Sequence, residues 1–360
     1  MQGSRQVSDT NLILRSLPKA GTSKDGTRGH ASRRALRSLL SMRMVVAAVL
    51  LTFASPAAAQ TYPDKPIRIF VGFAAGGPAD ITARLIGDRL SEAWGKPVVV
   101  ENVTGAAGNL ATDRVAKSAP DGYTLLAAAS ATIVTNPSLY QKLPFDPVKD
   151  LAPITQAVYT PNILAVHPDV PARNVQELVA YARANPGKLT FGSAGPGTSQ
   201  HLAGELFKTM AGIDIQHVPY RGIAAVMPDL IAGRLTMVFG NISAVLPFAR
   251  DGKLRPLAVT SARRYGSVPD LPTMIEAGFR DFNSTAWFGL MAPAGTPVDI
   301  IDKLHRESVR ILALPDVRKR FDELGIEVVG NTPAEFAAVI AAETPQWAKV
   351  IRDAGIKPTE

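Results

Sequence analysis

Residues 67–90 read IRIFVGFAAGGPADITARLIGDRL: an apolar strand-like run, a glycine-rich turn, then a helix-forming stretch. Residues 189–210, LTFGSAGPGTSQHLAGELFKTM, follow the same grammar in different letters. The free backbone N–H groups of a helix start, together with the positive end of its dipole, hold carboxylate or phosphate without any charged side chain. Two such sites facing each other form a clamp for a small anion.

The alternation continues outward from these two units. PVVVEN, a glycine turn at Thr104 to Gly108, a helix near Asn109 to Ser118 and the strand TLLAAAS follow the first, as in half of a doubly wound sheet. ILAVHP, the amphipathic run Val175 to Ala184, IQHVPY, a helix from Ala224 to Ala232, TMVFGN and PLAVTS surround the second. Proline and glycine punctuation at Tyr159 to Pro161 and Gly278 to Ser284 places crossings between two lobes there. Trp287 to Glu360 then returns to the first lobe, with WFGLMAP as a strand and helices from Pro297, Pro315 and Pro333. The expected organisation is α/β, with lobe 1 formed by residues 60–161 and 284–360, lobe 2 by 162–283, and a ligand cleft between them.

Residues 1–59 read as an export signal with a long N-terminal extension. Arg33, Arg34, Arg37 and Arg43 precede an apolar run, Met44 to Phe53, that is short for a membrane span, and Ala57 to Ala59 offer an A-x-A cleavage site before Gln60. Translation from Met42 or Met44 would omit the extension; with it, Ser32 to Arg37 has the look of a twin-arginine signal. Either route leads out of the cytoplasm. This segment holds 9 of the 39 Lys and Arg but only 2 of the 31 Asp and Glu, so the remainder is nearly neutral and lacks the basic footprint of a nucleic-acid binder. The absence of cysteine removes thiolate nucleophiles, disulfides and a lipid-modified cysteine anchor together.

Catalytic and cofactor motifs are thin. Phe191-Gly192-Ser193-Ala194-Gly195 lacks the first glycine of a nucleophile elbow, and H-E-x-x-H does not occur. Gly72 to Gly77 matches neither dinucleotide nor P-loop spacing. His167, His201, His217 and His305 show no metal-ligand spacing, with His305 read as surface and His167 as structural. Neither a cofactor nor a metal is expected. Trp94, Trp287 and Phe288 read as core, leaving Phe73 as the aromatic residue at the loop.

The series FVGFAAGGPADITARLI, VVVENVTGAAGN, APDGYTLL, NPSLY, PFDPVKDLAPI, GSAGPGTSQHLAGELFK, HVPYRG, LAVTS and FGLMAPAGTP, in order from Tyr62 to Pro358, resembles the extracytoplasmic solute receptors of tripartite tricarboxylate transporters, the Bug family. The resemblance implies a two-lobed, type II periplasmic binding protein fold. It also implies capture of a small organic carboxylate for membrane transporter subunits, with no chemistry performed. The loop residues Phe73, Gly76, Gly77, Ala79 and Asp80 would grip one carboxylate, with Asp80 read rather as a cap of the helix. Ser130 and Thr132 would reach the cleft from the same lobe, and Ser193, Gly195, Thr198 and His201 from the other. Tyr220, Arg221 and Gly222 match a Tyr-basic-Gly turn whose guanidinium suits a second carboxylate, and Asn241 both donates and accepts.

Two departures from the family pattern stand out. Gly240 replaces a common aspartate, which favours a ligand without an ammonium group, and Ala75 replaces a common proline, which bears on loop rigidity. A monomer is expected, because a receptor must open and dock. The competing expectations are a receptor that signals to a membrane sensor kinase and an exported enzyme.

Overall fold

The computed structural model describes residues 62–353 and 355–356; the expected export signal and its cleavage site lie outside the described residues. Ten strands form the sheets: β1 (Ile67–Val71), β2 (Val98–Asn102), β3 (Thr124–Ala129), β4 (Leu151–Val166), β5 (Leu189–Ser193), β6 (Ile215–Pro219), β7 (Met237–Asn241), β8 (Arg255–Val259), β9 (Thr285–Pro293) and β10 (Glu327–Val328). The α-helices are α1 (Pro78–Trp94), α2 (Asn109–Ala116), α3 (Asn136–Leu139), α4 (Val175–Ala184), α5 (Ser199–Ala211), α6 (Ile223–Ile231), α7 (Ile242–Arg250), α8 (Val298–Leu312), α9 (Pro315–Glu323) and α10 (Pro333–Asp353).

Strand order is β2-β1-β3-β9-β4-β7-β5-β6. The trio β2-β1-β3 is parallel and closed by antiparallel β9. The trio β6-β5-β7 is likewise parallel and closed by antiparallel β4. β4 is the element that both sheets share: Leu151 to Pro161 pair with β9, and Asn162 to Val166 pair with β7 and β8. Its prolines stand where pairing changes. Pro153 sits at a register shift, and Pro161 makes the last pair with β9 before the strand passes to β7. A proline that donates no ladder bond is tolerated at such places.

Each sheet is covered on both faces. Strand alternation sends Ile67, Ile69 and Val71 into a core with Ile86 and Leu90 of α1 and Leu304 and Ile311 of α8, while Phe70 joins Val115, Trp287 and Phe336 on the opposite face. The second sheet buries Phe191, Phe207, Phe239 and Phe282 under α4 and α5, and Val238 under Val226, Leu230 and Val245 of α6 and α7. Fully burying one such side chain contributes roughly 2 kcal/mol. The layers set both glycine turns at strand ends, on the side where the sheets meet.

Candidate functional site

At the first turn, Gly77 caps α1 with extended backbone and Pro78 fills the first helical position, where a missing N–H costs nothing. Asp80 sits in the first turn. Its carboxylate accepts from the Gly76 N–H at 2.9 Å, from Arg84 Nε at 3.0 Å and from Asn102 Nδ2 at 2.9 Å. The same Asn102 nitrogen donates to the Phe73 carbonyl, so the end of β2 braces the loop from both sides. Burial works against ionisation of Asp80, but the bonds from Arg84, Gly76 and Asn102 outweigh it and hold the carboxyl below its ordinary value.

At the second turn, Thr198 is the N-cap of α5, its hydroxyl accepting from the His201 N–H. His201 Nδ1 in turn accepts from the Gly197 N–H at 3.2 Å. Ser193 Oγ accepts from the Gly195 N–H at 3.0 Å and lies 2.6 Å from His217 Nε2. The His201 and His217 rings are 4.3 Å apart. Burial pushes His201 down to about 4, and burial with the neighbouring His201 and Lys208 charges pushes His217 to about 3. Both imidazoles are therefore neutral at physiological pH.

Between the turns lies a small cavity of about 30 Å³. Phe73, Ala74, Gly77, Pro78 and Ala79 line it from the first turn, Ala129, Ser130 and Ala131 from the end of β3, and Ala286 and Phe288 from β9. Ala194, Thr198, Ser199, Gln200, Ile223 and Asn241 line the opposite side. No Lys, Arg, His, Asp or Glu is among these residues. Among the described residues, the N–H groups of Ala79 and Asp80 at the start of α1, and of Ser199 and Gln200 at the start of α5, have no protein acceptor. The cavity is thus uncharged in its side chains and edged by two helix starts, which favours an anion.

Of the residues singled out from the sequence, Phe73, Gly77, Ala79, Ser130, Thr198 and Asn241 border this cavity. The others do not. Gly76 and Asp80 are joined to each other, and Thr132 donates to the Ala129 carbonyl. Ser193, Gly195 and His201 brace the second turn. Tyr220 donates to Asp229 at 2.5 Å. Arg221 is exposed, and its contribution is a main-chain one: its carbonyl accepts from the Ala74 N–H at 3.0 Å, joining the two lobes. Gly222 lies against that bond, where an added Cβ would stand 2.9 Å from both the nitrogen and the Cβ of Ala74. The Arg221 main chain thus makes a contact across the cleft, beside the side chain that the sequence offers to a ligand.

Sequence reasoning missed Gln200, Ser199, Ile223 and Phe288. Phe288, read as core, contributes to the core and the cavity wall alike. Trp287 is core, its indole N–H donating to Glu343. At Gly240 an added Cβ would lie 2.5 Å from Val245 Cγ2, so this packing has no room for a side chain. Ser193, at 0% exposure, is buried beneath the second turn, in short contact with His217. The described residues contain no group of three His, Cys, Asp or Glu placed to hold a metal.

Two α/β lobes joined by shared strands, with an anion-suited cavity between them, define a solute-binding protein of the periplasmic type. The chain belongs to the tripartite tricarboxylate transporter receptor family, whose model matches residues 82–356. It is 37% identical over 305 residues to protein BugT of Bordetella pertussis, covering 84% of this chain and 94% of that one. Among solved structures it is similar to R. palustris Rpa4515 with adipate, at 37% identity and a TM-score of 0.80 over 83% of this chain and 100% of the other. It is also similar to MatC from Rhodopseudomonas palustris with bound malate, at 32% identity and a TM-score of 0.77 over 81% of this chain and 100% of the other.

Proposed function

We propose that this chain captures a small organic carboxylate in the cavity between its lobes and hands it to the membrane subunits of a tripartite tricarboxylate-type transporter, without chemical change. The observation that carries the reading is the pair of helix starts, α1 and α5, each with two free N–H groups at the edge of one uncharged cavity. Backbone donors satisfy a carboxylate at little desolvation cost to the empty protein, because no buried charge waits for the ligand. The adipate and malate in the two R. palustris structures are consistent with this class of solute.

In this reading lobe 1 comprises residues 60–161 and 284–360, and lobe 2 residues 162–283. The binding residues are Phe73, Gly77, Ala79, Ser130, Thr198, Ser199, Gln200 and Asn241. Ligand binding closes the lobes as the Ala74–Arg221 main-chain bond forms across the cleft. The protein is a periplasmic monomer, cleaved from its signal between Ala59 and Gln60.

The test is a thermal-shift screen of protein recovered from the periplasm of an expressing host, against mono-, di- and tricarboxylates, aromatic acids and amino acids. One acid class raises Tm in proportion to the logarithm of its concentration, as mass action requires. The recovered chain has Gln60 as its first residue by mass spectrometry. No shift with any acid removes the proposal.

A further inference from the structure

Three side-chain amides form a chain from the crossing strands to the cavity. Asn162 of β4 donates through Nδ2 to the Ser284 carbonyl at 3.1 Å. Asn241 of β7 donates through Nδ2 to Asn162 Oδ1 at 3.1 Å, and Gln200 of α5 donates through Nε2 to Asn241 Oδ1. All are buried, at 0%, 1% and 3% exposure for Asn162, Asn241 and Gln200. Ser199 Oγ also donates to Asn162 Oδ1, and Ser284 Oγ to the Ser199 carbonyl.

The direction of this chain is fixed. An amide side chain can usually be turned to exchange its oxygen and nitrogen, but the Ser284 carbonyl is main chain and only accepts. Asn162 must therefore present Nδ2 to it and Oδ1 to Asn241. Asn241 must answer with Nδ2, which turns its Oδ1 toward Gln200, and Gln200 must answer with Nε2. Turning any one amide sets oxygen against oxygen or nitrogen against nitrogen. The chain ends in Gln200 Oε1, an acceptor that is buried and has no partner in the protein. Gln200 borders the cavity, and a buried acceptor without a partner is costly to leave unanswered.

From this we infer that the solute is a hydroxy-substituted carboxylate and that Gln200 reads its hydroxyl; the inference rests on the carboxylate reading above. A carboxylate cannot answer Gln200 Oε1, since both are acceptors, so it belongs at the helix starts. An ammonium group would find no Asp or Glu in the lining to balance it, and Gly240 adds none. An undissociated carboxyl group is disfavoured beside two helix starts, which stabilise the ionised form. A hydroxyl donates, is neutral and can stand on the carbon next to a carboxylate.

Calorimetry of the mature protein with acid pairs that differ by one hydroxyl tests this: malate and succinate, lactate and propionate, 3-hydroxybutyrate and butyrate, citrate and tricarballylate, 4-hydroxybenzoate and benzoate. The hydroxylated member of the pair that fits binds about 10- to 100-fold more tightly, as expected where a site built for a hydroxyl is otherwise left with an unpaired acceptor. Gln200→Met removes that preference, so that the two members of the pair bind within about threefold of each other. The inference fails, with the carboxylate reading intact, if every pair that binds shows equal or tighter binding of the deoxy member, as when a water fills the place. It fails equally if Gln200→Met weakens both members alike, which assigns Gln200 a role in cavity shape. If no acid of any pair binds, the carboxylate reading falls and this inference with it.

Discussion

The starts of α1 and α5 present the same field to the cavity but are braced by opposite means. The first is held by charge: Asp80, Arg84 and Asn102 form a tight set in which the buried carboxylate takes up the Gly76 N–H. The second is held by neutral groups, the Thr198 hydroxyl and the His201 imidazole, backed by His217. The difference teaches that an anion-binding turn can tolerate its own carboxylate when a cation and an amide absorb it. The same difference means that the two turns loosen under different conditions.

The largest expected effect is on acid stability. The folded state holds His201 and His217 neutral, at about 4 and about 3, so the unfolded chain binds more protons below the ordinary histidine value of 6.5. Stability is then full above about pH 6.5 and falls on acidification to pH 4, by on the order of 6 kcal/mol for the pair. Asp80, whose carboxyl lies below its ordinary value of 3.8, adds its loss only below that pH. Urea unfolding as a function of pH separates the two windows. The double variant His201→Asn, His217→Gln flattens the curve between pH 4 and 6.5; an unchanged slope would assign the loss to carboxylates.

Next come the glycines inside the two helices. An added Cβ at Gly204 in α5 would stand 2.1 Å from the Phe191 ring, which is fully buried and has nowhere to go. Gly204→Ala therefore costs about 3 kcal/mol by overpacking, more than the ~1 kcal/mol gained in helix propensity. In α1 the nearest atom to an added Cβ at Gly87 is Val98 Cγ1 at 3.3 Å, so Gly87→Ala stays within about 1 kcal/mol of the parent. Equal costs at the two sites would mean that the sheet under α5 yields as readily as the one under α1.

The smallest effects distinguish the caps themselves. Asp80→Ala leaves the Gly76 N–H and the Asn102 amide short of an acceptor and costs about 2 kcal/mol. Thr198→Ala loses one neutral cap and costs about 1 kcal/mol. Denaturant midpoints of the two variants rank them, and the reverse order would put the firmer brace at α5.

Much of the fold was legible because strand–turn–helix units announce themselves through local patterns: both glycine turns, the strands PVVVEN and IQHVPY and the helix from Val175 to Ala184 stand close to where residue periodicity puts them. The first half of β4 was hidden by Pro153 and Pro161, which look like breaks until the pairing shows that they sit at changes of partner. The π-helical turn Ala131–Thr135 and α7, with Pro247 inside it, carry no comparable signal. Around the cavity, residues at turns stand out in the sequence and residues that act through distant partners do not. Gln200 depends on Asn241, Asn162 and Ser284, far apart in the chain, so no local pattern reveals which of its atoms is left over. Arg221 shows the same limit from the other side: its peptide carbonyl makes a link to Ala74 that no residue type announces.

That link has a consequence for how such a receptor can diversify. Because Ala74 and Arg221 meet through main-chain atoms, exchanging the side chain at 221 leaves that bond in place. Position 222 has no such latitude, since an added Cβ there would stand 2.9 Å from Ala74. The link and the identity of the side chain at 221 are thereby separable, so that position can change its chemistry without undoing the bond.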